Sequence, residues 1–371
     1  MRPSLIFACA LSVALGAAGL ACQSSVSQND DPTLGTDDSG GDADSGTKKS
    51  SSKKDSGKST TKGDAGPKQC DPYAAGNPPK SLFIGPTAIQ KLLVDQINAA
   101  EESIDIMIYE LDAAAVVSAL EAAASRGVKV RFVIDNSDNT VGENKKARDQ
   151  LVAAGVEFTN APAEFVYQHA KTMIIDGSTA VVMSSNLNGY SMSSERNYGV
   201  ITTEPGEVAD LQAIFDRDRA GGGDIDLSCS KLVVSPLNAK ERLLDFINSA
   251  KTSLDMALMY MTDNDIEDAV NARAKAGVAV RVLLADPAWI KDNTATASLL
   301  TKESIPAKFL KTIELHAKLI VVDDMVFVGS ENMSLNSLKS NREIGLFVSE
   351  ADLVAKVKSQ FEKDWSAGVT P

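Results

Sequence analysis

The sequence predicts an α/β protein of two similar halves, each a mixed sheet flanked by helices, and two observations carry that prediction. The first is an internal repeat. Laid over itself at an offset of 150, the chain matches Ile97, Asn98 and Ala100 with Ile247, Asn248 and Ala250, Ser103 with Ser253, and Asp105 with Asp255. Gly127-Val128 and Val130-Arg131 match Gly277-Val278 and Val280-Arg281 in the same register. The offset then drifts to 147 at His169 and His316 and to 146 from Asn186 and Asn332 onward, as small loop differences would cause. A period this long is far beyond that of a solenoid, so each copy is domain-sized; the halves are placed at residues 81–223 and 224–371. The second observation is the hydrophobic pattern within each copy, which alternates between helical and strand periods.

Taken in order, Ala88 to Ala100 spaces its apolar residues for a helix, and Ile104 to Tyr109 reads as a buried strand. Ala113 to Ser125 is again helical, and after the stop at Gly127 the β-branched run Val128 to Ile134 forms a second strand. The second copy repeats the series from Ala239 to Leu284. Such βαβ alternation predicts parallel strands with helices on both faces. Further on, apolar runs end at Asp176-Gly177 and Asp323-Asp324, which predict hairpins, with returning strands at Ala180 to Met183 and Val326 to Val328.

Composition narrows the function. The chain has 371 residues, 43% hydrophobic and 23% charged, which suits a globular body and excludes a membrane bundle. Fifty acidic residues against 37 Lys plus Arg give a net charge of −13. From residue 81 onward there are 41 acidic and 28 basic residues, so no strong nucleic-acid signal is present. Four cysteines, Cys9, Cys22, Cys70 and Cys229, fall in no metal-ligand spacing. Histidine numbers two, His169 and His316, so any imidazole chemistry belongs to them.

The first 22 residues read as an export signal, with Arg2, an apolar run from Leu5 to Leu20, and then small residues. The stretch from Ala17 to Cys22 resembles the lipobox of bacterial lipoproteins, with Gly19 where Leu is usual; the resemblance implies lipidation of Cys22. The expected location is therefore exported: an outer-membrane or periplasmic lipoprotein, or a secreted protein. Residues 23–80 are rich in Ser, Asp, Gly and Lys, with little to bury, and read as a flexible linker. Cys70 and Cys229 are candidates for a disulfide in an oxidising compartment.

The chemistry concentrates at His169-Ala-Lys171, followed by Asp176, and at His316-Ala-Lys318, followed by Asp323. Along a strand, positions two apart share a face, so each His and Lys project together. Ser184 and Asn186 follow the first motif; Ser330 and Asn332 follow the second. An imidazole titrates near neutrality, so one copy can act as nucleophile while its twin donates a proton. Lys171 and Lys318 supply positive charge and Asn186 and Asn332 neutral donors, with Ser184 and Ser330 as further candidates for that role. Asp176 and Asp323 lie an odd number of places from their Lys and read as supports at the hairpin.

The doubled HxKx4D motif followed by GSxN resembles the phospholipase D superfamily, and the likeness covers essentially all of residues 81–371. It implies two α/β halves related by a pseudo-twofold axis, a shared cleft, and phosphodiester cleavage through a phosphohistidine with no metal or other cofactor. The family also carries an acidic residue eleven places after the Asn, which orients a catalytic His. Glu343 stands there in the second copy, but the first has Glu195-Arg-Asn197, so Glu195 is expected to substitute from two residues earlier. Met183 stands where the family has Gly, and a side chain of that size is expected to narrow the first half of the cleft.

These features imply a phosphoric diester hydrolase, a phospholipase D-like enzyme releasing phosphatidic acid and a head-group alcohol, active as a monomer and held at a membrane through lipidated Cys22. An exported nuclease and a non-catalytic binding descendant are the alternatives. Trp289 and the segment Asp286 to Phe309 are candidates for a rim or lid over the cleft, with packing of Trp289 within its own loop as the favoured reading.

Overall fold

The computed structural model describes residues 80–371, so the export segment, the linker, Cys22 and Cys70 lie outside the described residues. The first half runs β1 (Ser81–Ile84), α1 (Ile89–Ala99), β2 (Ser103–Ile108), α2 (Ala114–Ser125), β3 (Lys129–Ile134), α3 (Val141–Ala153), β4 (Glu157–Asn160), β5 (Thr172–Ile175), β6 (Thr179–Met183), α4 (Gly189–Ser194), β7 (Glu195–Arg196), β8 (Tyr198–Thr202) and α5 (Pro205–Arg219). The second runs β9 (Val233–Ser235), α6 (Ala239–Asn248), β10 (Ser253–Leu258), α7 (Asn264–Lys275), β11 (Ala279–Ala285), α8 (Asn293–Lys302), β12 (Ala307–Leu310), β13 (Glu314–Leu315), β14 (Lys318–Val322), β15 (Met325–Gly329), α9 (Leu335–Lys339), β16 (Glu343–Val348) and α10 (Ala351–Ala367). Cys229, in the segment joining the halves, is disulfide-bonded.

Each half builds a seven-stranded sheet, in the orders β1-β8-β6-β5-β2-β3-β4 and β12-β11-β10-β14-β15-β16-β9. Both sheets are mixed: β2, β3 and β4 run parallel, as do β10, β11 and β12, and the hairpins β5–β6 and β14–β15 join antiparallel. The central strands β2 and β10 are covered on both faces, which is why Ile104 to Ile108 and Leu254 to Leu258 read as nearly continuous apolar runs. Asp105 and Asp255 interrupt those runs, and each is offset by an arginine on the neighbouring parallel strand. Arg131 Nε donates to Asp105 at 2.6 Å and Arg281 Nε to Asp255 at 2.7 Å, so the Asp and Arg matched in the repeat are one ion pair made twice.

Three apolar cores result. Helices α1 and α2 cover the outer face of the first sheet and α6 and α7 that of the second, while the central core joins the inner faces of both sheets with α5 and α10. Met183 belongs to the outer core with Phe83 and Ile106, on the side away from the inner face, so it does not narrow the cleft as its bulk suggested. Strand alternation explains the difference: the last position of β6 points its side chain outward.

Asp176 and Asp323 do act as hairpin supports. Both adopt the left-handed backbone, at φ 50° and 47°, which Asp tolerates better than most residues. The Asp323 carboxylate accepts the N–H groups of Lys251, Thr252 and Ser253, and Asp176 accepts those of Glu101, Glu102 and Ser103, tying each hairpin to the entry of the central strand. Desolvation pushes Asp323 upward, but these bonds and the Thr252 hydroxyl outweigh it and hold the carboxyl at about 2. A folded value below the unfolded one means that this stabilisation is full above the ordinary Asp range and is lost as pH falls toward about 2. Asp323→Ala should cost roughly 1 kcal/mol at neutral pH, since solvent around the turn weakens these bonds. Urea unfolding at pH 7 and at acid pH checks this, because the variant and the parent should converge in acid.

Candidate active site

His169 and His316 sit just ahead of β5 and β14, beside the carboxyl ends of the parallel strands β2 and β10, where open α/β sheets place their ligand crevices. Reciprocal pairing between the halves brings them together. Gln168 bridges Arg342, with His169 N–H donating to Arg342 O at 3.0 Å and Arg342 N–H to Tyr167 O at 2.9 Å. In the mirror arrangement β13 pairs parallel with β7, placing Leu315 beside Arg196. Each histidine is therefore delivered next to the polar residues of the opposite half. Both rings are nearly buried.

The crossing fixes one ring nitrogen of each histidine. His169 Nδ1 lies 2.9 and 2.8 Å from the two carboxyl oxygens of Glu343. Glu343 is held in turn by the Ser337 hydroxyl at 2.6 Å and the Asn341 amide at 3.2 Å. Burial alone would push the Glu343 carboxyl up, but His169, Lys171 and Ser337 together bring it below its usual range, so it is a carboxylate.

His316 is served differently. Its Nδ1 lies 3.0 Å from Asn197 Oδ1, and Glu195 is further off at 3.5 Å. The Asn197 amide donates to Glu195 at 2.9 Å, so the carboxyl stands behind the amide and not in its place. Glu195 thus supports His316 through Asn197, and the direct partner is the residue at the family's own position. Burial, then the ammonium groups of Lys318 and Lys171 and the His169 ring, hold His316 well below the ordinary histidine range. Replacing the neutral partner by a charged one, Asn197→Asp, should raise the pH at which this ring titrates by ~1–3 units. Imidazole ¹⁵N NMR follows it directly in a chain with two histidines; an unmoved titration would show that Asn197 does not serve Nδ1.

The lysines are equivalent. Lys171 Nζ donates to His169 O at 2.7 Å and Lys318 Nζ to His316 O at 2.8 Å, which anchors each ammonium beside its own ring. Their electrostatic effect on His316 places both charges in one site. The Asn186 amide donates to Glu110 at 3.1 Å, while the side-chain oxygens of Asn186 and Asn332 have no hydrogen-bond partner. Ser184 and Ser330 do not aim at the cleft: Ser184 donates to Asn197 Oδ1 at 2.7 Å and accepts from Tyr198 N–H, and Ser330 accepts from Ile344 N–H. Their hydroxyls close strand ends, because a buried backbone N–H there needs an acceptor.

Aromatic side chains line the site unevenly. Tyr109 meets the His169 ring edge-on at 4.9 Å and lies under Lys171, whereas the second half puts Met259 sulfur 3.7 Å from Lys318 Nζ. Trp289 lies 6.4 Å from the His316 ring and packs partly on the central core, so it borders the site as well as its loop. Among the described residues no group of three His, Cys, Asp or Glu side chains is arranged to hold a metal ion, and no helix is long and apolar enough to cross a membrane.

A family model described as "Cardiolipin synthase, PLD-like domain" matches the chain twice, over residues 93–219 and 243–365, which is more than half of its length. The chain belongs to the phospholipase D-like family. Both PLD-like matches contain one His–Lys motif each, and the pseudo-twofold between them is the one that crosses the histidine partners. A probable cardiolipin synthase, YwiE of Bacillus subtilis, is 26% identical over 291 residues, spanning 65% of this chain and 56% of that protein. A protein named phospholipase D from Rickettsia conorii is 32% identical over 131 residues, 35% of this chain and 63% of its own length. The chain therefore spans little more than half the length of these relatives. The crystal structure of phosphatidylserine synthase from Haemophilus influenzae superposes with a TM-score of 0.61 at 12% identity, covering 78% of this chain and 85% of that one, and shows the shared fold.

Proposed function

We propose that the protein is a phospholipid phosphodiesterase working through a phosphohistidine, with His169 as nucleophile and His316 as general acid. The crossed partners carry this assignment. Donating Nδ1–H to the Glu343 carboxylate leaves the Nε2 lone pair of His169 free, and the same carboxylate stabilises the positive charge that the ring gains when Nε2 bonds to phosphorus. The nearest partner of His316 Nδ1 is the neutral Asn197 amide, with the Glu195 carboxyl further off, so its imidazolium is less well stabilised than that of His169 and gives up a proton more readily.

In the first step the Nε2–P bond forms and the bond from phosphorus to the head-group oxygen breaks; His316, which takes up a proton on Nε2 when the bound phosphodiester anion offsets the charges of Lys171 and Lys318, gives that proton to the departing oxygen. In the second, water attacks phosphorus, His316 takes its proton, and the N–P bond breaks to release phosphatidic acid. Lys171 and Lys318 stabilise the charge on the non-bridging oxygens throughout. A second reading, transfer to an alcohol in place of water, uses the same steps with the alcohol's proton passing to His316; the relatives named as synthases favour it. Export and a lipid on Cys22 would keep the enzyme at its substrate.

Purified protein should release head group from phosphatidylethanolamine or phosphatidylglycerol vesicles, undiminished by EDTA because lysines occupy the electrostatic role of a cation. Phosphatidic acid as product supports hydrolysis; a new diester formed with added alcohol supports transfer. Cleavage of single-stranded DNA with intact lipid would overturn the lipid reading.

A further inference from the structure

Glu331 stands between Ser330 and Asn332, where the first half has Ser185. It is fully buried, and neither carboxyl oxygen makes a hydrogen bond of ordinary geometry. Two glycines make room for it. A Cβ added at Gly329 would meet Glu331 Oε2 at 2.2 Å, and one at Gly345 would meet it at 2.8 Å; the two glycines face each other across β15 and β16. The first half fills the corresponding space with apolar groups: Met183 faces Gly199, and a Cβ there would lie 2.0 Å from the Phe83 ring. One half thus has an apolar filling and the other an acid, and the half with the acid is the one that supplies Glu343.

We propose that Glu331, buried in the glycine-lined space between β15 and β16, is a positioning residue for the His169–Glu343 pair and that its ionisation sets the upper pH limit of the site. A buried carboxylate whose backbone donors are poorly aligned is costly, and a second negative charge near Glu343 adds repulsion. Burial first and Glu343 next push the Glu331 carboxyl well above the usual range, against weaker pulls from the backbone N–H groups of Glu331 and Ser330 and from Lys171. The charged groups acting on it are therefore Glu343 on β16 and Lys171 ahead of β5, with His169 behind Glu343; Phe327 of β15 contributes an apolar wall. When Glu331 loses its proton to solvent, the new charge tightens the hold on the His169 Nδ1 proton and offsets part of the Lys171 charge that the phosphoryl oxygens need.

The inference rests on the reading of His169 and Lys171 as catalytic, and its test separates the two. Imidazole ¹⁵N NMR and pH–rate profiles would be recorded for the parent protein, Glu331→Gln and Glu331→Met, the last an unbranched apolar side chain suited to the glycine-lined space. As Glu331 ionises in alkaline solution, the ¹⁵N signals of the parent His169 ring should move. That movement should be lost in both variants, and the alkaline fall in kcat should move to higher pH. An alkaline shift that persists in either folded variant, or that is missing from the parent at every pH where it stays folded, overturns the proposal. Full activity of His169→Ala would instead overturn the catalytic reading and leave the NMR titration as it is.

Discussion

Replacing either histidine by alanine is expected to lower turnover by at least about 10³-fold, with the double variant hardly worse than the singles. The reason is the crossing. His169 takes its carboxylate from the second half and His316 its amide from the first, so neither half holds a complete set of groups. In the proposed mechanism each histidine is needed in both chemical steps, and residues that act as one unit are not additive. Circular dichroism should be unchanged in both variants. A single variant retaining a tenth of the parent's turnover would break the shared-site account.

The second large effect lies between the halves. Arg342 is almost fully buried and makes a two-pronged ion pair with Asp218 of α5, Nε to Oδ2 at 2.7 Å and the terminal nitrogen to Oδ1 at 2.8 Å, while its remaining terminal nitrogen donates to Ser235 O at 2.9 Å. The repeat makes the same clamp in reverse: Arg196 pairs with Asp364 of α10 at 2.8 and 3.1 Å and donates to Gly85 O. Each clamp joins one half to the helix of the other, and each arginine adjoins a polar residue that serves a histidine, Glu343 or Asn197. Asp218→Ala leaves the buried Arg342 charge without its partner, which should cost roughly 3–5 kcal/mol and lower Tm by about 10 °C. Asp364→Ala should cost less, because Arg196 is partly exposed to water. Thermal unfolding of the two variants side by side measures the difference, and equal losses would contradict it.

The duplication and the paired motifs are legible because they recur at fixed spacing, and they lead to the fold and to the two histidines that the crossed pairing brings to one site. What was not legible depends on where side chains point. Met183 looked obstructive from its size alone, but the phase of β6 turns it to the outer core. Ser184 and Ser330 looked like donors for substrate until the strand ends beside them required acceptors. Charge favours Glu195 as the partner of a histidine, whereas the 146-residue offset matches Asn197 to Glu343. That same offset matches Arg196 to Arg342 and Asp218 to Asp364, so the clamps are present in the sequence as repeated pairs beyond the motifs. Glu331 left no such trace, since only the folded glycines show what surrounds it.

The most direct measurement is to trap the covalent intermediate. Parent protein would be mixed with phospholipid carrying a labelled phosphate, quenched within one turnover under conditions that spare the N–P bond, and digested for peptide mapping. The account predicts label on the peptide containing His169, and none on that peptide in His169→Ala. Label on the His316 peptide, or turnover of lipid with no label on either histidine, would contradict it.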